Sequence, residues 1–491
     1  DGYLGIDWDV FIRRLTLAFE KLNVPCLCYN ISSAYKNQKE IEKMVSPFLG
    51  GEDPLFGKLY PGKLLDFLDS NKLKDIQASG NCLSILYGTG AALSHWNSPL
   101  VYIDLPKNEL QYRSRAGRVF NLGTGHQLPP KEQYKRMFFV DWPVLNRHKQ
   151  EILFKIDYMV DGQHQDDISW CDASTLRHGL GEITSNSFRV RPWFETGVWG
   201  GDWIKKHIKG LNTEVLNYAW SFEFIVPENG VVFSYKGRRL EISFDFLMYF
   251  SKEAVLGDAA AVFGTNFPIR FDFLDTFNGG NLSLQCHPDP EFIKKEFSEP
   301  FTQDETYYML DAAPDARVYL GFHEDIEPQA FHEALLESQQ EGTQMDVEKF
   351  VRVHPAKKHD LFLIPHGTVH CSGKNGLVLE ISSTPYIYTF KMYDWMRKGL
   401  DGQPRPLNIS RAMENLDFDC KGDRVEKDYI SKPILIEQGE SSRIFRLTTH
   451  PKHSYEIFRY EFKDRLEVKN NGQAHVLSLV EGHKIKVITG E

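Results

Sequence analysis

Apolar residues recur along this chain with two different periods, and the change of period divides it. From Asp7 to Leu22 they fall at Val10, Phe11, Leu15, Leu17, Ala18, Phe19 and Leu22, a helical spacing with one apolar stripe. Short apolar runs then alternate with helical stretches. VPCLCYNI at 24–31, CLSILYGTG at 82–90, LVYIDLP at 100–106 and IDYMVDG at 156–162 read as strands, and MFFVDWPVL at 137–145 as an extended run. Helices are predicted over Lys36–Val45, Leu64–Ile76 and Asn108–Gly117. This alternation predicts an α/β domain with a largely parallel sheet over residues 1–187. His164–Phe188 is polar, has no strong period and reads as a linker.

Beyond residue 188 the period shortens toward two. YAWSFEFIV at 218–226, GVVFSY at 230–235 and LEISFDFLMY at 240–249 alternate in part, as in a sandwich with one packed face. Glu324–Phe350 interrupts the pattern with helical spacing at Phe331, Leu335 and Leu336, and is expected to cover one mouth of a barrel. SSRIFRLT at 441–448, SYEIFRYEF at 454–462 and HVLSLVEG at 475–482 form a further set of strands. The pattern predicts an all-β domain over 188–430 with a helical insertion, and a second small β domain over 431–491. The chain opens on Asp and closes in mid-pattern, so its natural form is expected to extend further.

Length agrees with this division, because 491 residues exceed what one hydrophobic core usually serves. A formal charge of −10 argues against a generic binder of nucleic acid or membrane surfaces. No run approaches the roughly 18 apolar residues of a bilayer span. Seven dispersed cysteines without a CxxC pair fit a reducing cytoplasm and imply no disulfide framework. The strand, glycine turn and helix at Tyr87–Leu93 invite a phosphate reading, yet no Gly-Lys-Ser or Gly-Lys-Thr occurs, and YGTG reads as a turn.

Candidate chemistry lies between Asn281 and Lys391. In LSLQCHP at 282–288, Gln285 and His287 project to one side of an extended strand. Glu305 opens the strand-like ETYYML at 305–310, and a Pro-x-Gly turn in LIPHGTVH at 363–370 feeds a strand carrying His370. Two imidazoles, a carboxylate and an amide suit zinc, iron, manganese or cobalt with an open position, although a lone strand histidine is more often structural. In LVLEIS at 377–382, Glu380 shares a face with Val378 and Ser382 and would point into a barrel, as a catalytic group or as a strut beside a cation.

At these residues the sequence resembles the class I phosphomannose isomerases, metal-dependent cupins that interconvert mannose 6-phosphate and fructose 6-phosphate. WGG at 199–201, FPIRFDFLDT at 267–276, LSLQCHP, ETYYMLDA, IPHGTVH, LVLEIS and YTFKMYDW at 388–395 follow in family order over Phe188–Trp395. The resemblance implies a jelly-roll fold and makes Gln285, His287, Glu305 and His370 the ligands of a zinc or other divalent ion. It places Lys391 where the family motif carries a catalytic or phosphate-binding arginine, a swap that keeps charge but loses the fork. It also sets Asp272 and Gln303 where the family has lysines, so a phosphate dianion is expected to bind less well unless Arg270, Lys357, Lys358 or the amino-terminal arginines reach the site. Cys286 and Cys371 flank ligands but alternate to the opposite face and read as packing residues.

The order of elements in 1–187, with Arg113, Arg115 and Arg118 after LVYIDLP, resembles the uridine-kinase-like P-loop kinases, whose phosphate loop would then lie upstream of Asp1. Those arginines read equally as a solvated face or an anchor. The sequence thus points to a cytoplasmic, metal-dependent aldose–ketose isomerase acting through a cis-enediol on a small sugar or sugar phosphate, with no nucleic-acid or membrane partner. Alternatives are a metal-bearing sugar sensor or scaffold without turnover and a bifunctional kinase–isomerase.

Overall fold

The two-residue period of the second half is realised as two antiparallel sheets. The structure, a computed structural model, describes residues 1–489. One sheet has six strands in the order Leu361–Ile364, Asp304–Ala312, Gly376–Ser383, Ile269–Asp275, Trp220–Ile225 and Trp193–Glu195. The other has five, in the order Val351–Pro355, Arg317–Phe322, His370–Ser372, Leu284–Cys286 and Phe390–Tyr393.

Register sorts the six-stranded sheet into a polar and an apolar face. Asp272 lies opposite Glu380 and Glu380 opposite Tyr307, while Arg270 lies opposite Ser382 and Ser382 opposite Glu305. These rows share one face because side chains alternate along each strand. The intervening Phe271, Tyr308, Leu310, Leu361, Leu363, Leu379 and Ile381 form an apolar cluster with Leu447 and Ile457. The last two belong to a three-stranded sheet, Pro433–Gln438, Ser442–Leu447 and Ile457–Phe462. That small sheet covers the apolar side of the six-stranded one instead of standing as a separate body. HVLSLVEG forms no strand, although Val476 and Val480 pack on the same cluster.

The described residues divide into two compact units: Asp1–Arg191, Val226–Phe267 and the residues from Lys486 to Thr489 in one, Pro192–Ile225 and Pro268–Ile485 in the other. The division is therefore discontinuous in sequence, unlike the linear succession at 187/188 and 430/431. GVVFSY and the start of LEISFDFLMY form a hairpin, Gly230–Tyr235 with Arg238–Ser243, inside the amino-terminal unit. The rest of LEISFDFLMY is helical, in Asp245–Leu256. MFFVDWPVL is also helical, a π-turn over Met137–Asp141 running into Trp142–Ile152. A continuous buried apolar run has no period with which to tell strand from helix. The expected linker contains a strand, Trp170–Asp172, and a helix, Ala173–Thr184, whose first turn is capped by the Asp172 carboxylate.

The amino-terminal unit is α/β, but its strands do not join into one parallel sheet. Cys26–Asn30 pairs in parallel with Leu83–Tyr87, and Val101–Asp104 pairs in parallel with Tyr158–Asp161, which Trp170–Asp172 joins antiparallel. The amides of Gly90 and Ala92, in the turn considered for phosphate, donate to the Asp1 carboxylate at 3.1 and 3.0 Å. Arg113 donates to the carbonyls of Gly5, Gly162 and Gln163, and Arg118 pairs with Asp7, so both serve as anchors.

The interior of this unit carries charge. Lys107 Nζ is 2.6 Å from Asp245, Lys149 Nζ is 3.2 Å from Asp104 and 3.6 Å from Asp245, and all four residues are buried. The Ser243 amide and hydroxyl donate to Asp104 at 2.6 and 2.7 Å. Removing Lys107 would leave Lys149 as the ammonium shared by Asp104 and Asp245, an uncompensated buried charge that costs about 3–5 kcal/mol. Lys107→Met should lower unfolding stability by that amount in urea melts, and a loss below about 1 kcal/mol, the size expected of a surface pair, would contradict it.

Candidate metal centre

The two antiparallel sheets bring His287, Glu305 and His370 together. His287 follows the Leu284–Cys286 strand, His370 opens the neighbouring one, and Glu305 comes from the six-stranded sheet. All three are buried. Glu305 Oε2 lies 3.1 Å from His287 Nε2, and Glu305 Oε1 lies 2.8 Å from His370 Nε2. Among the described residues, this is the group of histidine, cysteine and acidic side chains whose ligand atoms can share an ion, all within 4.8 Å of one another.

Backbone carbonyls set the imidazole orientation. His287 Nδ1 faces the Tyr388 carbonyl at 3.2 Å and His370 Nδ1 faces the Thr368 carbonyl at 2.9 Å. Each Nδ1 must carry a proton to donate, which turns Nε2 toward the carboxylate, as in metal-ligating histidines. The turn before His370 is as expected: Thr368 donates to the Pro365 carbonyl, and Gly367 adopts φ +83°. Its amide also donates to the His287 carbonyl at 3.0 Å, tying the two histidine segments together. A side chain at Gly367 would meet the Asn415 carbonyl at 2.9 Å, so glycine is required for space as well as conformation.

Although these atoms are close, His287 Nε2 and Glu305 Oε1 are buried without a hydrogen-bond partner. Burial alone would raise Glu305, but the adjacent imidazoles of His287 and His370 hold its carboxyl well below the ordinary range. A divalent cation would meet both the carboxylate and the Nε2 atoms, so the donor set fits a metal ion. Gln285 pairs with His370 across the strands, and its amide nitrogen lies 3.3 Å from His370 Nε2. A half-turn of the amide presents its oxygen there instead.

A second ring of polar residues surrounds the three. Gln303 donates to Glu305 Oε2 at 2.6 Å and to Glu380 Oε1 at 3.3 Å, while Thr384 donates to the Gln303 oxygen at 3.1 Å. Burial, then the nearby Asp272 and Glu305, raises the Glu380 carboxyl well above its usual range. Asp272 is fully buried and meets Arg270 through two contacts, 2.9 and 3.3 Å. Its charge is therefore paired within its own strand by Arg270, one of the cations that the sequence offered to offset it. Lys391 lies across from Gln285 and is half-buried; burial, then Arg405, pushes its ammonium down to about 7.

Past Lys391 the cations outnumber the acids. Asp394 accepts from Arg397, from Arg405 at 2.9 Å and from Ser283 at 2.8 Å. Lys391, Arg397 and Arg405 thus gather around one carboxylate, on the same strand face that carries Gln285. Arg405 and Tyr307 were not singled out from sequence. Tyr307 shares the Glu305 face by the two-residue period, a signal available in ETYYML, and its ring stands 5.8 Å from His370. Arg405 has no such signal. Cys286 and Cys371 are buried, as expected of packing residues.

A family model described as a domain of unknown function (DUF8485) matches residues 1–185. Mannose-6-phosphate isomerase ManA of Bacillus subtilis (strain 168) is 25% identical over 314 residues, which cover 63% of this chain and 90% of that protein. The mannose-6-phosphate isomerase of Streptococcus mutans is 27% identical over 229 residues, 45% of this chain and 64% of that protein. The crystal structure of the Bacillus subtilis mannose 6-phosphate isomerase aligns with 56% of this chain and 80% of its own at 19% identity, with a TM-score of 0.44. In sequence, this chain is thus related to proteins named mannose-6-phosphate isomerases.

Proposed function

We propose that this protein is a metal-dependent aldose–ketose isomerase of cupin type, interconverting mannose 6-phosphate and fructose 6-phosphate. The observation that carries the reading is the convergence of His287 Nε2, His370 Nε2 and the Glu305 carboxylate, with each Nδ1 against a backbone carbonyl. Similarity in sequence to mannose-6-phosphate isomerases supports the reaction class.

Moving a proton between C2 and C1 requires a group that accepts and returns it, and a positive charge beside the oxygens. Gln285, His287, Glu305 and His370 would hold a divalent ion, zinc or a manganese, iron or cobalt equivalent, which supplies that charge. Lys391 stands beside Gln285 with an amine near half-neutral at pH 7, suited to take the C2 proton at Nζ. Glu380, its carboxyl raised well above the usual range, would offer a proton to a sugar oxygen. Arg405 and Arg397 offer their charge to a phosphate, and Arg270 takes up the charge of Asp272 that would oppose one.

Three measurements test this. The purified chain should hold about one divalent ion and turn over mannose 6-phosphate, and His287→Ala should lose both. Bound metal without turnover on any aldose, phosphorylated or free, would favour the sensor reading. Lys391→Met should lower kcat by about 10²–10⁴-fold, the worth of a placed acid–base group, and a kcat within threefold of the parent would remove Lys391 from that role. Arg405→Ala should raise KM for the phosphorylated sugar by about 10–100-fold, one charge-assisted contact. An equal effect on free mannose would show that Arg405 does not meet the phosphate.

A further inference from the structure

Glu299 is a buried acid that the proposed reaction does not use. It follows the helix Pro290–Phe297 and Ser298, which takes φ +65°, and its Oε1 accepts the Tyr388 hydroxyl at 2.9 Å. Burial pushes this carboxyl up to about 8, so it sits beside the phenol as a neutral acceptor at pH 7. Tyr388 is fully buried and stacks on Phe297, with ring centroids 4.9 Å apart. The backbone of the same residue carries the carbonyl that receives His287 Nδ1.

The chain reaches Tyr388 through a strained bend. Tyr386 has φ +105° and Ile387 φ +53°, conformations that a β-branched residue in particular avoids. Such backbone persists only where its surroundings over-determine it, and these do. The Tyr388 amide donates to the Tyr386 carbonyl at 2.9 Å and the Thr389 amide to the Ile387 carbonyl at 2.8 Å. Thr384 accepts the Tyr386 amide at 3.0 Å and donates to Gln303, and the Arg270 guanidinium lies over the Tyr386 ring at 5.6 Å. Thr384, with Gln303 behind it, and Arg270 hold the bend at Tyr386 from one end; at the other the Tyr388 ring stacks on Phe297 and its phenol reaches Glu299.

We propose that the Glu299–Tyr388 hydrogen bond is the outer anchor of this bend and holds the Tyr388 carbonyl on His287 Nδ1, making Glu299 and Tyr388 positioning residues for the metal centre. The assignment rests on the metal reading given above. Without the anchor the strained bend relaxes, the carbonyl leaves His287, and the imidazole loses the orientation that aims Nε2 at Glu305. Groups that orient a metal-ligating histidine in this way typically contribute 10–100-fold to metal affinity.

The test is zinc affinity of the full chain, read by competition with a chromophoric chelator. Tyr388→Phe and Glu299→Leu should each weaken zinc binding by about 10–100-fold. Glu299→Gln, whose amide oxygen still accepts the phenol, should retain the parental affinity. Melts in excess chelator identify any variant that fails to fold, and Tyr388→Phe, which keeps its ring in the stack with Phe297, carries the test if Glu299→Leu does. Zinc binding by Tyr388→Phe equal to that of the parent would overturn the assignment, as would equal losses in Glu299→Gln and Glu299→Leu. A parent protein that binds no divalent ion would instead sink the metal reading, and this assignment with it.

Discussion

A carboxylate buried between two sheets has to be met by positive charge, and Glu305 is that carboxylate. Desolvation of an isolated charge in a protein interior is severe enough that the group ordinarily neutralises instead. Glu305 does not, because His287 and His370 approach its two oxygens from the facing sheet. A divalent cation between these side chains would meet both the carboxylate and the Nε2 lone pairs that the Tyr388 and Thr368 carbonyls, by holding Nδ1, turn inward.

The same constraint orders the neighbouring acids. Three carboxyl groups, Asp272, Glu305 and Glu380, share one face of the six-stranded sheet, and they cannot all be charged at close range. Arg270 answers Asp272, the histidines answer Glu305, and the Glu380 carboxyl is pushed well up by burial and by both neighbours. Gln303 bridges Glu305 and Glu380 with a neutral amide, where a lysine would add a cation and favour ionising Glu380. The neutral amide of Gln303 is therefore coupled to the acid beside it, because it adds no cation that would favour ionising Glu380.

Much of this was legible because antiparallel strands have a period of two. LSLQCHP, ETYYML and LVLEIS each place their polar residues two apart, so the face that carries His287, Glu305 and Glu380 could be read from the chain. The Pro365–Gly367 turn was legible for the same local reason. The use a neighbour is put to was not legible: Arg270 could be named as a cation within reach, but that its guanidinium turns onto Asp272, two residues later on the same face, depends on its rotamer. MFFVDWPVL and the second half of LEISFDFLMY have apolar residues on every side, so periodicity had nothing to choose between strand and helix.

The boundary of the amino-terminal unit was illegible for a more basic reason, since it is set by long-range electrostatics. Residues 1–185 match a family of their own, which suggests a self-sufficient domain. Yet Lys107 and Lys149 are buried, and Asp245, one of their two carboxylate partners, lies sixty residues beyond that match. Asp104 in turn takes two hydrogen bonds from Ser243. Cut at 185, the unit would keep two buried ammonium groups and one carboxylate, itself stripped of two donors. Val226–Phe267 is thus part of that unit's interior, and the chain must leave the first unit at Arg191, build two strands of the six-stranded sheet, Trp193–Glu195 and Trp220–Ile225, and return before either unit is complete. A domain recognised by its contiguous sequence is here smaller than the body whose charges have to balance.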